Sequence, residues 1–251
     1  MNLRKLKKAF SIIELIFVIV ITSILGIAIA NFQDNSLIIA RDQFIKDIRK
    51  TQTLALFDNK FMERNSTNSL KDISRSKFWF KSLWQVQVSR TRKTVFYTIY
   101  FDTPTSQSGK YNFSPSKTFN EIAIDPLTRK LMFGNWKDDR LAGTYKEEDV
   151  NTKLNLSLEY GIDEVNFIFL SNRTSVRKNK MNIFFDNLGR PYVLKSKHNL
   201  TISGLSNNSD LHPFKYILKE PIQIKLLKNV NQVCFNLEPI SGYLHIENCV
   251  F

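Results

Sequence analysis

The chain has 251 residues, 43% of them hydrophobic, with 36 Lys and Arg against 23 Asp and Glu, for a formal net charge of +13. That length and apolar share suffice for a packed core and exclude a disordered chain, and with only eight glycines collagen-like repeats are excluded and Gly-rich nucleotide loops disfavoured. No repeat recurs at a fixed period; the positive balance suits nucleic acid or an anionic membrane surface, with a solvated Lys-rich surface as the plain alternative.

Residues 1–9, "MNLRKLKKA", form a basic leader carrying Arg4, Lys5, Lys7 and Lys8. Residues 10–30 are almost wholly apolar, yet Glu14 sits near the front. A secretory signal peptide would explain the leader, and Ala28-Ile29-Ala30 offers a cleavage site. The run is longer than an ordinary signal core, however, and Glu14 interrupts it. A plain membrane anchor would explain the apolarity, since a run of this length spans about 30 Å, but not the carboxylate. Nor does the pattern stop at Ala30. Leu37, Ala40, Phe44, Ile48 and Ala55 recur at steps of three and four, with a gap at Thr51 and Gln52. This spacing predicts one helix from Phe10 to about Lys60, a bilayer half over 10–30 and an amphipathic half over 31–62.

Beyond it, 64–77 is polar and reads as a linker, and the period changes to two. Strands are predicted over 78–89, through Phe78, Phe80, Trp84, Val86 and Val88, and over 94–102, through Val95, Tyr97, Ile99 and Phe101, with "RTRK" as a basic tip. A hairpin follows at 120–134, turning at Asp125-Pro126, then a charged loop over 135–153. Further strands are predicted at 163–170, at 180–194 with a turn from Asp186 to Gly189, and near 215–219, 222–228, 231–237 and 242–247, with a loop over 203–214. The expected class is α+β: one long helix whose apolar stripe covers one face of antiparallel sheet, the other face being wet, in a body over 63–251.

The stretch "KKAFSIIELIFVIVI" resembles the class III signal of type IV prepilins and type II secretion pseudopilins: a basic leader, a small residue, a cut, an aromatic, and Glu as the fifth residue after the cut. The resemblance implies cleavage between Ala9 and Phe10, N-methylation of Phe10, and pairing of Glu14 with a neighbouring subunit's N-terminal ammonium during filament assembly. An opposite charge within about 4–6 Å favours the ionised carboxylate; the plain alternative is Glu14 snorkelling to the headgroups. It also implies a pilin-like fold and a single-pass place in the inner membrane, with the body in the periplasm or on the cell surface. The implied partners are other pilin or pseudopilin subunits, a prepilin peptidase and methyltransferase, an inner-membrane assembly platform and membrane lipid. Two positions depart from the pattern: Ala9 stands where the family usually has Gly, and Asn31 where many pilins have a kinking Pro. The order "NFIF…MNIFFDNLGRP" over roughly 160–247 is similar to the GspH/FimT group of minor pseudopilins, whose DNA-uptake members carry a G-R-x-R motif. Here the matching place reads Gly242-Tyr243-Leu244-His245, without either arginine.

Signs of catalysis are absent from the sequence. His198, His212 and His245 are scattered, and there is no His-Glu-x-x-His, Cys-x-x-Cys, P-loop or Gly-x-Ser-x-Gly. No catalytic residue, metal site or cofactor is expected; the chain reads as a substrate of two enzymes and not as one. "ERNST" (63–67) fits a glycosylation sequon at Asn65. Cys234 and Cys249, the only cysteines, could close a disulfide in an oxidising setting or stay as two buried thiols. Among several basic clusters, Arg90, Arg92 and Lys93 are the candidate DNA contact, through phosphates. A filament subunit is the leading functional expectation, and a DNA-binding pseudopilin of a competence apparatus is its rival.

Overall fold

A computed structural model describes residues 11–31, 35–58, 82–91, 94–102, 121–136, 145–171, 174–176, 180–195 and 217–250. The chain divides into two compact units, Met1–Asn35 and Ser36–Phe251.

The first unit contains helix α1, Ile12–Asn31. The single helix expected from Phe10 to about Lys60 does not form. A second helix, α2, runs Ser36–Phe57 and belongs to the other unit. The junction explains the break: Asn31, Asp34, Asn35 and Ser36 are residue types whose short polar side chains bond nearby backbone and favour caps and turns over helix interiors. The apolar three-and-four spacing restarts at Leu37. A second correction concerns the membrane. Among the described residues no helix is long and apolar enough to cross one. The transmembrane span, the inner-membrane placement and the pilin-like architecture of one long N-terminal helix are therefore all overturned.

In the second unit, β1 (Trp84–Arg90), β2 (Val95–Phe101), β5 (Lys180–Phe185) and β6 (Pro191–Lys195) form a sheet in the order β2-β1-β5-β6. A second sheet, in the order β4-β3-β7-β8-β9, is built from β3 (Glu164–Phe169), β4 (Thr174–Val176), β7 (Ile222–Lys228), β8 (Asn231–Leu237) and β9 (Leu244–Glu247). All pairings are antiparallel. A short helix, α3 (Leu156–Tyr160), starts at Asn155, whose side chain accepts from the Leu158 N–H.

The period of two decides which side chains enter the core. Trp84, Val86 and Val88 stand opposite Phe101, Ile99 and Tyr97 on one side and Phe185, Ile183 and Met181 on the other. In the second sheet Ile222, Ile224 and Leu226 stand between Phe169, Phe167 and Val165 and Leu237, Phe235 and Val233. These rows join α2 in one apolar core. α2 touches β1 and β5 of the first sheet and β7 and β8 of the second. It buries Leu37, Ala40, Phe44, Ile48 and Ala55. Thr51, at the gap in the apolar spacing, is buried too, because its hydroxyl donates to the Asp47 carbonyl one turn back at 2.8 Å. Gln52, the other gap residue, donates from Nε2 to the carbonyls of Gly189 and Ser241, each at 2.8 Å. One side chain thus ties the β5–β6 turn of the first sheet to the β8–β9 turn of the second. Gly242 takes φ +65° there, which favours glycine, and a Cβ on it would lie 2.6 Å from that same Nε2 and displace Gln52 from its two carbonyls.

The reverse face of the first sheet mixes polar side chains with Phe96, Tyr100, Phe184 and Tyr192, and it is not wet. Gln85, Gln87, Thr98 and Asn182 are all buried. Asn182 Nδ2 donates to Gln85 Oε1 at 2.6 Å, Gln87 Nε2 to the Tyr100 hydroxyl at 2.6 Å, and the Gly134 N–H to Thr98 Oγ1 at 3.4 Å.

Asp47 is the one acid in the buried face of α2. It accepts from the Tyr97 hydroxyl at 2.6 Å and from Gln43 Nε2 at 2.9 Å. Burial raises its carboxyl above the ordinary 3.8, against the pull of those hydrogen bonds and of Lys50. A raised native pKa gives a contribution that is full below the unfolded value and lost as pH rises through the native one. Asp47→Asn should therefore gain stability relative to the natural chain between about pH 3 and pH 7. Denaturation midpoints of the two chains measured across that range check this; a difference that shrinks or reverses with rising pH would contradict it.

Candidate functional site

α1 is capped at its start by reciprocal bonds. The Ser11 N–H donates to Glu14 Oε2 at 3.1 Å, and the Glu14 N–H donates to Ser11 Oγ at 3.3 Å. This is a capping box, Ser at the N-cap and Glu three residues on, which satisfies two backbone donors that a helix start leaves open. Glu14 also places negative charge at the positive end of the helix dipole, where it is favourable. The pattern S-x-x-E was present in the sequence; it explains the acid without any neighbour, and the reading of Glu14 as an assembly residue overlooked it.

Behind the cap, α1 presents apolar side chains in every direction. Ile12 is 80% exposed and Ile21 46%, with Ile13, Leu15, Ile16, Phe17, Val18, Ile19 and Val20 between them exposed as well. The two hydroxyls of this stretch are satisfied internally: Thr22 donates to the Val18 and Ile19 carbonyls and Ser23 to the Ile19 carbonyl, at 2.7 to 3.1 Å. Behind its first turn the helix therefore presents an apolar surface whose two hydroxyls are already bonded. A helix hydrophobic all round is a buried helix by composition, and exposed surface of this kind marks contact with another apolar body.

The remaining sequence-level candidates fall in separate places. Ala9 and Phe10 lie outside the described residues, as do Arg92, Lys93, His198, His212 and Asn65. Arg90 closes β1 and reaches across to β3, where its guanidinium meets Glu164 Oε1 at 3.3 Å; it is engaged in an ion pair between the two sheets. Cys234 on β8 is joined to Cys249 by a disulfide, with Cα atoms 5.2 Å apart. At the place compared with G-R-x-R, Gly242 turns the chain, Leu244 is buried and Tyr243 is exposed. Tyr243 stacks on His245 at 5.7 Å between ring centroids. His245 lies 3.3 Å from Glu247 and 3.7 Å from Glu238. Among the described residues no group of three or more His, Cys, Asp and Glu is placed to hold a metal ion.

No family model, no curated protein and no solved structure matches the chain.

Proposed function

We propose that the chain is a structural subunit of a filament of the type IV pilus or type II secretion pseudopilus kind, a minor pilin or pseudopilin cut between Ala9 and Phe10 and N-methylated on Phe10. Its partners in this reading are other filament subunits and the assembly platform, and it acts as substrate for the peptidase and methyltransferase, not as an enzyme. One observation carries the reading beyond the motif: α1 is apolar on all sides and uncovered over Ile12–Ile21, and it belongs to a compact unit separate from the two-sheet body. Packing such helices side by side would bury that surface. At about 25 cal/mol per Å² of apolar area, covering even part of it outweighs the modest polar cost of the cap.

Mass spectrometry of the protein isolated from its own cells tests the processing step. The expected first residue is N-methylated Phe10. A chain beginning at Asn31 would be a secreted protein freed from a signal peptide, and an intact leader would end the filament reading.

A further inference from the structure

Beyond β9 the chain turns back over the outer face of the second sheet. Residues 248–250 are held there by two different means. Cys249 is bonded to Cys234. Gln223, fully buried on β7, acts toward the segment as a neighbouring strand would. Its Nε2 donates to the Asn248 carbonyl at 3.0 Å, and its Oε1 accepts the Val250 N–H at 2.7 Å. Nε2 also donates to Asn236 Oδ1 at 3.2 Å, which fixes the amide's orientation. Lys225 Nζ donates to the Val250 carbonyl at 3.2 Å. None of these groups belongs to the apolar core, because Ile222, Ile224 and Leu226 take the inner positions of β7.

We propose that residues 248–250 form a strap latched by the disulfide, which thiol–disulfide exchange releases while the two-sheet core stays folded. Three hydrogen bonds exchanged for bonds to water give little net stabilisation, comparable with the cost of ordering three residues. The covalent link therefore decides whether the strap stays down. The two sulfurs are not equivalent. Cys234 is 2% exposed on β8, whereas Cys249 is partly exposed. An incoming thiolate attacks Cys249 Sγ, the S–S bond breaks, and its electron pair leaves on Cys234 Sγ, which takes up a proton. Lys225 stands directly across from Cys234 in the β7–β8 register, where its positive charge favours departure of that thiolate. A second thiol then attacks the mixed disulfide at its own sulfur. Cys249 leaves as a thiol, and the reductant, a dithiol, ends as a disulfide. Release opens Gln223 and Asn236 to water and leaves the rest of the sheet paired.

Hydrogen exchange on the full chain, with and without dithiothreitol, tests the proposal. Complete reduction is verified by alkylation and mass spectrometry. The Val250 amide, bonded to Gln223 Oε1, should exchange at least tenfold faster after reduction, while β1 and β2 stay protected over the same minutes. Cys249→Ser should match the reduced chain without any reductant. A monothiol such as glutathione should form its mixed disulfide on Cys249 and not on Cys234. Unchanged protection of the Val250 amide in the reduced chain, or loss of protection throughout both sheets, would overturn the proposal. So would attachment of glutathione at Cys234.

Discussion

Replacing Phe44 by Ala should destabilise the two-sheet body by about 3–5 kcal/mol, a large fraction of the stability of an ordinary domain. Phe44 is fully buried on α2. Its ring lies 4.7 Å from that of Tyr97 on β2 and 5.8 Å, edge-on, from that of Phe235 on β8. It is therefore a contact that both sheets share. Truncation removes the transfer energy of the ring and leaves a cavity where the two sheets and the helix meet, a place that cannot collapse without moving one sheet against the other. The Tyr97 hydroxyl, bonded to Asp47, also loses the ring that fixes it in place. Phe57, on the same helix but 83% exposed, serves as the control: Phe57→Ala should stay within about 0.5 kcal/mol. Chemical denaturation of both variants decides the matter. Equal, small effects would mean that α2 does not organise the core.

What could be read in the sequence follows a physical line. Alternation along Trp84, Val86, Val88 and along Val95, Tyr97, Ile99 is a local signal, because a strand's two faces are fixed by adjacent residues. The same holds for the turn at Asp186, whose carboxylate accepts the Leu188 and Arg190 N–H groups at 3.0 and 2.9 Å. Where the helix ended was not legible from periodicity. Leu37, Ala40 and Phe44 continue a three-and-four spacing that a helix restarting at Ser36 produces as readily as one that never stopped. The polar residues Asn31, Asp34, Asn35 and Ser36 held the information, and an apolar count ignores them. Gln52 and Gln223 were invisible for a different reason. Each binds backbone groups brought near it only by the packed fold, at separations of 137 and 189 residues for Gln52 and 25 and 27 for Gln223. Nothing in the residue type predicts such partners. The reverse face of the first sheet shows the limit of alternation itself, which specifies polarity and not exposure: Gln85 and Asn182 are polar and buried together.

Replacing Glu14 by Leu should leave the two-sheet body folded and yet reduce cross-linking of the chain to neighbouring filament subunits at least tenfold. The body is unaffected because Glu14 lies in the other compact unit. Two roles of the carboxylate must be told apart. As the acceptor of the Ser11 N–H it supports the start of α1, and losing a cap costs roughly 0.5–2 kcal/mol of helix stability. As the proposed partner of a neighbour's ammonium it neutralises a charge that docking removes from water. Deleting one member of such a pair costs about 3–5 kcal/mol, because the other charge stays buried and alone. Ser11→Ala separates the two, since it removes the hydroxyl that accepts the Glu14 N–H and keeps the carboxylate. If the charge pair governs assembly, cross-linking should be nearly normal in Ser11→Ala, intermediate in Glu14→Asp, where the charge remains but the reach is shorter, and lost in Glu14→Leu. If the capping box is the whole role of Glu14, Ser11→Ala and Glu14→Leu should fall together by the same small amount. Equal cross-linking in all four chains would remove Glu14 from assembly and leave it as the residue that starts a helix.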